Sequence, residues 1–576
     1  MKKYKGIVIS LLLALILSGC ANAATQPNNE FDNFINEEFI KSASSDSITT
    51  HYLLENPEKY NIKEEKLSIG SYKEEEIQKS KDDINKSYEK LKNFNYRELT
   101  KDQQELYDIY EDYLEVQKSF EKDDNFAQLF GPLQGIQGYL PTNFIEYTFD
   151  SKEEVEKYLK LVKLVPTYIQ EALEFTQKQV DNKFFMDDIS ADKAIKVCSD
   201  FTSKVDDNAL ISSFNNKIDA INMSDAEKKK YKDENKNEVI NNIIPAYNNI
   251  KTKLEGWKGT RVDQTHGLAS YKGGKEYYER LFRDLSGTSK SIKDMEEKLE
   301  EAVSENIDII ISNTILSEKD EEYKNYKLEK NDAASIIDNL KKSTNEIVGP
   351  IPDVDISVEP IDKSLENDGA LAYYVSSRID NFKFNSIKYN ANAGSTDLDF
   401  YSTLAHEGYP GHLYQHVYYC NKQVSPLRHT IDYIGYTEGW AKYIETQIIE
   451  TSGFKDEASI KVANANNNLG YFASALIDMK IHYDNYDQKQ ISDYLYSLGL
   501  NGGAAEEAFN QSMADPGVLI PYALGSYQMQ ELREKAEDKL GNKFNQIEFH
   551  NAVLDAGPSS FVNVEKYVDK YIKDNK

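Results

Sequence analysis

Cysteine is scarce in this sequence, with three in 576 residues, and tryptophan scarcer still, with two. Cys20, Cys198 and Cys420 lie far apart, so no disulfide framework and no zinc-knuckle spacing can be built from them. Beyond residue 20 no apolar run reaches the length needed to cross a bilayer. No fixed-period repeat is found, and no long Pro/Gly linker divides the chain. Positive charge is in deficit. The formal charge is −29, and it becomes −32 once Lys2, Lys3 and Lys5 are removed with residues 1–19. Such a surface repels nucleic acid and excludes it as a partner.

What the N-terminus does contain is an export signal. Three lysines precede an apolar core at residues 7–17 (IVISLLLALIL), and Leu17-Ser18-Gly19-Cys20 follows. This order resembles a bacterial lipobox rather than an ordinary signal peptide. It predicts a signal peptide over 1–19, lipid on Cys20, and a polar tether over 20–30 (from residue 21, ANAATQPNNE). The mature chain is then expected at the outer face of the cytoplasmic membrane, held only by that lipid. Cys198 and Cys420 are read as two buried free thiols.

The body reads as mainly helical. Val155, Leu159, Val162, Val165, Ile169, Ala172 and Phe175 recur at steps of three and four over 152–178, and Ile292, Met295, Leu299, Val303 and Ile307 do so over 291–311. The rhythm breaks over 349–395, where Gly349, Pro350, Pro352, Pro360, Gly369 and Gly394 surround two runs of β-formers, Leu371–Ser376 and Phe382–Tyr389. These predict a small β-ribbon. The expected architecture is large and two-lobed, with an N-terminal helical lobe over 31–260, a C-terminal helical lobe over 261–576, and an active cleft between them beside the ribbon.

Four of the eight histidines fall between residues 406 and 429. The core string is His406-Glu407-Gly408-Tyr409-Pro410-Gly411-His412, entered by a helix that Thr396 and Asp399 cap and that Leu398, Tyr401, Leu404 and Ala405 face inward. In His-Glu-x-x-His, two imidazoles one turn apart share a zinc ion and the glutamate serves as base. Here the spacing is six, which on an unbroken helix turns the rings about 120° apart. Pro410 cannot donate its N–H and clashes with the His406 carbonyl, so a local bulge at Tyr409–Gly411 is expected to bring His412 back beside His406. The alternative pair, His412 with His416, needs no bulge but has no adjacent glutamate.

A zinc site needs a third ligand. Downstream, Tyr436-Thr437-Glu438-Gly439-Trp440-Ala441-Lys442-Tyr443-Ile444-Glu445 turns Trp440, Tyr443 and Ile444 inward. Glu438, Lys442 and Glu445 share another face, where Glu438 and Lys442 form an ordinary i,i+4 pair if the face is solvated.

His-Glu-x-x-Pro-Gly-His followed by Glu-Gly-Trp-Ala resembles the bacterial family catalogued as domain of unknown function 885. That family is similar to gluzincin metallopeptidases such as angiotensin-converting enzyme and the Taq-type carboxypeptidases. The similarity runs from about residue 265 to 565. It includes Gly274-Lys275-Glu276-Tyr277-Tyr278, the stretch from Pro521-Tyr522-Ala523-Leu524-Gly525 to Leu532-Arg533, and Leu554-Asp555-Ala556-Gly557-Pro558. Leu413 stands where the family often has a further histidine. The resemblance implies a cleft-forming metallopeptidase-like fold holding one zinc ion through His406, His412 and Glu438. Glu407 would be the general base, Glu445 or His416 a fallback ligand or supporting partner, and Tyr522 a donor to the substrate oxygen. Tyr522 can equally be a packing residue, and Arg533 a substrate-carboxylate ligand or a salt-bridge partner. A peptide is the expected substrate. A non-peptide amide or ester, or a binding role without turnover, would use the same ligands.

Overall fold

The computed structural model describes residues 26–64, 66–121, 126–316, 328, 331–350, 352–361, 371–451, 457–501 and 505–576. The expected signal peptide, Cys20 and residues 21–25 of the tether lie outside the described residues. Among those described, no helix is long and apolar enough to cross a membrane. Helix α1 (Asn29–Ala43) begins inside the span expected to be tether, because the Asn28 side chain accepts the N–H groups of Glu30 and Phe31 and caps it.

The molecule is mainly helical with one small sheet. Helix α2 (Lys101–Ser119) carries a complete capping box between Thr100 and Gln103. The single stripe expected over 152–178 is two helices, α3 (Lys152–Val162) and α4 (Val165–Asp181). Pro166 lacks an N–H and its ring would strike the carbonyl of Val162, so α3 ends there. Helices α5 (Gly274–Ser286) and α6 (Ile292–Leu316) follow.

Among the described residues three strands interrupt the helices: β1 (Asp355–Pro360), β2 (Ala372–Val375) and β3 (Phe384–Tyr389), in the order β1-β3-β2. β2 and β3 are the expected ribbon, paired antiparallel with Tyr374 opposite Ile387. β1 was not expected. It lies parallel to β3, with Val358 also opposite Ile387. As an edge strand it tolerates the terminal Pro360, whose proline reads in sequence as a loop signal. Thereafter come α7 (Asp397–Glu407), α8 (His412–Cys420), α9 (Ile434–Ile449), α10 (Glu457–His482), α11 (Ile520–Leu540) and α12 (Gln546–Ala556).

The buried cores do not divide the chain at residue 260. One joins Phe31, Phe34, Phe39 and Tyr110 to Leu404, Leu413, Trp440, Ile444 and Val568. A second holds Phe130, Tyr158, Ile169, Phe214 and Trp257. The apolar faces of α1 and α2 therefore share one buried cluster with the motif-bearing helices: Phe31 and Phe34 meet Phe94, Phe34 meets Tyr110, and Tyr113 reaches Tyr433 just before α9. Cys198 is buried, Cys420 is half-buried, and both are free thiols.

Helices α9 and α11 cross with their backbones nearly touching. A Cβ on Gly439 would lie 2.5 Å from the Cα of Gly525, and a Cβ on Gly525 would overlap the carbonyl oxygen of Gly435. Gly525→Ala should therefore lower the unfolding free energy by about 1–3 kcal/mol. Gly470→Ala, on α10 with open space around it, should raise it by about 0.5–1 kcal/mol. Urea titration of both variants checks the contrast.

His550 is fully buried. Its Nδ1–H donates to the Ile347 carbonyl at 2.8 Å, and its Nε2 accepts from the Tyr443 hydroxyl at 2.8 Å. Burial holds its pKa down at about 3. The unfolded chain, with a histidine pKa near 6.5, binds the extra proton between these values. Stability should thus fall as pH drops below about 6.5, by roughly 1.4 kcal/mol per pH unit for this group. His550→Gln should reduce the measured pH slope of the unfolding free energy between pH 6 and 5 by about one proton.

Candidate metal centre

Helix α7 starts as the spacing predicts. The Asp399 N–H donates to Thr396 Oγ1 at 3.1 Å, and the Thr396 N–H donates to Asp399 Oδ2 at 3.2 Å. It does not continue through a bulge. It stops at Glu407, and a separate helix, α8, begins at His412. Pro410 leaves the His406 carbonyl without its helical donor. The Gly411 N–H turns instead to the Ala405 carbonyl at 3.0 Å. A Cβ on Gly411 would overlap the His406 carbonyl oxygen, so only glycine fits this corner. The indole N–H of Trp440 donates to the Pro410 carbonyl at 3.0 Å and pins the turn to α9. The outcome for the imidazoles is the expected one: the His406 and His412 rings are 4.6 Å apart, nearly perpendicular at 88°.

Glu438 completes the group. Its Oε2 lies 3.3 Å from His406 Nε2 and 3.3 Å from His412 Nε2. The three ligand atoms all fall within 4.8 Å of one another. A tetrahedral ion with bonds of about 2.0–2.1 Å separates its ligand atoms by about 3.4 Å. The donor set of two imidazoles and a carboxylate, at these separations, fits zinc. His416 is not part of it. Its Nε2 lies 3.5 Å from Cys420 Sγ, and its ring lies 6.0 Å from that of Tyr374.

Behind the histidines stands a buried ion pair. His406 Nδ1–H donates to Glu445 Oε1 at 2.7 Å, which leaves Nε2 facing Glu438. Glu445 Oε2 accepts from Lys442 Nζ at 2.6 Å and from Asn467 Nδ2 at 2.9 Å. Lys442 is 1% exposed, and its ammonium lies 4.0 Å over the Tyr471 ring. The solvated pair with Glu438 is not made. Lys442 turns inward to Glu445, one turn along the same helix. Neither Asn467 nor Tyr471 was singled out in the sequence. A lysine inside the apolar string from Trp440 to Ile449 was the available signal.

The electrostatics favour a cation. Burial alone would lower the His406 pKa, but hydrogen bonds to Glu438 and Glu445 raise it to about 10. Burial would raise Glu438, and the two imidazoles instead hold it well below the carboxylate range. For Glu445, burial is outweighed by the charge of Lys442 and the His406 hydrogen bond, which bring it to about 2. Glu407 differs: burial raises it, and the pull of His406 and His412 does not offset that. Its Oε2 accepts the Tyr374 N–H at 2.9 Å, from the outer edge of β2.

Tyr522, on α11, stacks at 6.1 Å from the His406 ring and tilts against Tyr471 at 5.8 Å. Burial, then the charge of Glu438, push its phenol up, so it remains an O–H donor at neutral pH. Arg533 is engaged elsewhere, donating to Glu537, Tyr443, Gln447 and Gln546.

The family model described as "Bacterial protein of unknown function (DUF885)" matches residues 60–566. This chain belongs to that family. The match in this DUF885 chain reaches well upstream of residue 265, in keeping with a core that joins α2 to the motif helices. A crystal structure from Colwellia psychrerythraea, described as a candidate lipoprotein, superposes with a TM-score of 0.82 at 16% identity, over 95% of this chain and 99% of that one. A structure from Shewanella oneidensis, described as a candidate lipoprotein of unknown function, gives 0.58 at 18% identity, over 93% and 98%. At these identities the likeness is one of fold. No curated protein matches the chain.

The buried pair in this DUF885 chain has a direct consequence for stability. Lys442→Met removes the ammonium from the buried Glu445 carboxylate and should cost about 3–5 kcal/mol. Lys489→Met, at an exposed ion pair with Asp493, should change stability by less than about 0.5 kcal/mol. Chemical denaturation of the two variants tests this.

Proposed function

We propose that this chain is a single-zinc hydrolase that cleaves peptides at the outer face of the cytoplasmic membrane, anchored by lipid on Cys20. The observation that carries the reading is the placement of Glu438 Oε2 at 3.3 Å from both imidazoles, with Glu407 adjacent in sequence to His406. His406, His412 and Glu438 would hold the zinc ion, which when bound would supply Lewis acidity to a carbonyl and make water more acidic. Glu407 is the group that moves the proton. Its raised pKa suits a carboxylate that takes a proton from the attacking water and passes it to the leaving amine. The Tyr522 hydroxyl is the donor for the developing oxyanion. β2 is an edge strand, and its Tyr374 N–H already points to Glu407. An extended peptide laid along that edge would bring its carbonyl to the same place. The lipoprotein descriptions of the two solved relatives and the resemblance to gluzincins support the location and the chemistry.

Metal analysis and peptide-library turnover of the chain from residue 21, beside Glu407→Gln, test the proposal. The expected result is one zinc per chain in both, with turnover reduced by a factor of about 10² or more in the variant. One zinc with no peptide cleavage by the parent would point to a non-peptide amide or ester, or to binding without turnover. No metal in either would overturn the site.

A further inference from the structure

The edge strand beside Glu407 is held from outside the motif helices. β2 has four residues, too few to fix its own position as part of a small sheet. The turn that joins it to β3 instead presents Arg378, Ile379 and Asp380 in succession to the N-terminal part of the chain. The Ile379 N–H donates to the Leu53 carbonyl at 3.0 Å. One Asp380 oxygen accepts the Glu55 N–H at 2.7 Å, and the other accepts the Asn56 N–H at 2.9 Å. Arg378 Nε donates to the His51 carbonyl at 3.0 Å, while its terminal nitrogens reach Asp150 at 3.1 Å and Thr148 Oγ1 at 2.9 Å. On the strand itself, the Tyr373 hydroxyl donates to Glu146 at 2.9 Å. Two segments, 51–56 and 146–150, thus grip one turn. Four residues before Arg378, Tyr374 is fixed inside the hairpin by its hydroxyl on Asn385 at 2.6 Å, and offers its N–H to Glu407.

We propose that Arg378 and Asp380 are positioning residues for the hydrolytic site, setting the depth of β2 and through it the placement of Glu407 and of a substrate backbone along the strand. The inference rests on the hydrolase reading above for its catalytic half only. The contacts are charge-assisted, and the carboxylate accepts two consecutive backbone N–H groups, an arrangement that fixes direction as well as distance. A displacement of about 1 Å between reacting groups is enough to cost around 10²-fold in rate.

The test compares Asp380→Ala and Asp380→Asn with the parent in the full chain. Asparagine keeps one acceptor oxygen for the two N–H groups, and alanine keeps none. Bound zinc should be unchanged in both, because no ligand is touched. Amide hydrogen exchange over residues 371–376 should be about 10-fold or more faster in Asp380→Ala and intermediate in Asp380→Asn. kcat/KM on a peptide cleaved by the parent should fall by about 10–100-fold in Asp380→Ala, mainly through kcat, with partial recovery in Asp380→Asn. Unchanged exchange over 371–376 would overturn the inference. So would parent-like kcat and KM in a variant that merely unfolds at lower urea. If the parent cleaves no peptide, the hydrolase reading fails by itself, and the exchange comparison still decides whether the clamp sets β2.

Discussion

Pro410 has no place in the helix that Thr396 starts, and the shape of the centre follows from how the chain deals with that. The helix ends at Glu407, Gly411 closes tightly over the Ala405 and His406 carbonyls, and a second helix leaves from His412. Two imidazoles six residues apart are thereby brought to 4.6 Å. The corner is tied to α9 by the indole N–H of Trp440 on the Pro410 carbonyl. Because Trp440 is two residues from Glu438 on the same helix, the contact that fixes the histidines also sets the height of the third ligand. Gly439 and Gly525 then let α11 approach closely enough for Tyr522 to lie against His406.

Around this geometry the charges are unequal. Glu407, Glu438 and Glu445 stand close together with Lys442 as their buried ammonium. Lys442 is committed to Glu445, on the side away from the ligand atoms. The remaining field at His406 and His412 is that of a site shaped for positive charge. Each carboxylate nevertheless has a different environment. Two are held ionised by specific hydrogen bonds, and the third is pushed towards protonation by burial. Carboxylates separated in this way can serve separate roles, one binding and one exchanging protons.

Much of this was legible in the residues themselves. The Thr396–Asp399 cap and the helix it starts follow from local rules whose outcome tertiary contacts did not alter, while Pro410, expected to cause a bulge, ends the helix outright. Local rules failed where the deciding partner was distant. Lys442 reads as solvated until α10 supplies Asn467 and Tyr471, and β1 reads as a proline loop until β3 pairs with it. The stripe over 152–178 was correct in phase but not in continuity, since one proline outweighed a favourable pattern. Helical periodicity shows which face of α1 is buried but not against what, so the cluster it shares with α7, α8 and α9 could not be read from it.

The reach of that cluster bears on how the molecule is made. Phe31, Phe34 and Phe39 on α1 meet the rings of Phe94, Tyr110 and Tyr60, and the same buried cluster extends to Val564, Val568 and Ile572. A chain emerging N-terminus first can bring those nearby rings together early, and the middle core, Phe130 to Trp257, can close next, but the cluster that holds α1 is complete only once residues up to 572 have emerged. Contacts of such long sequence separation close slowly, and the uncovered apolar surface meanwhile invites association. The acidic character of the chain is then an asset during birth as much as afterwards, because like charges keep neighbouring nascent chains apart.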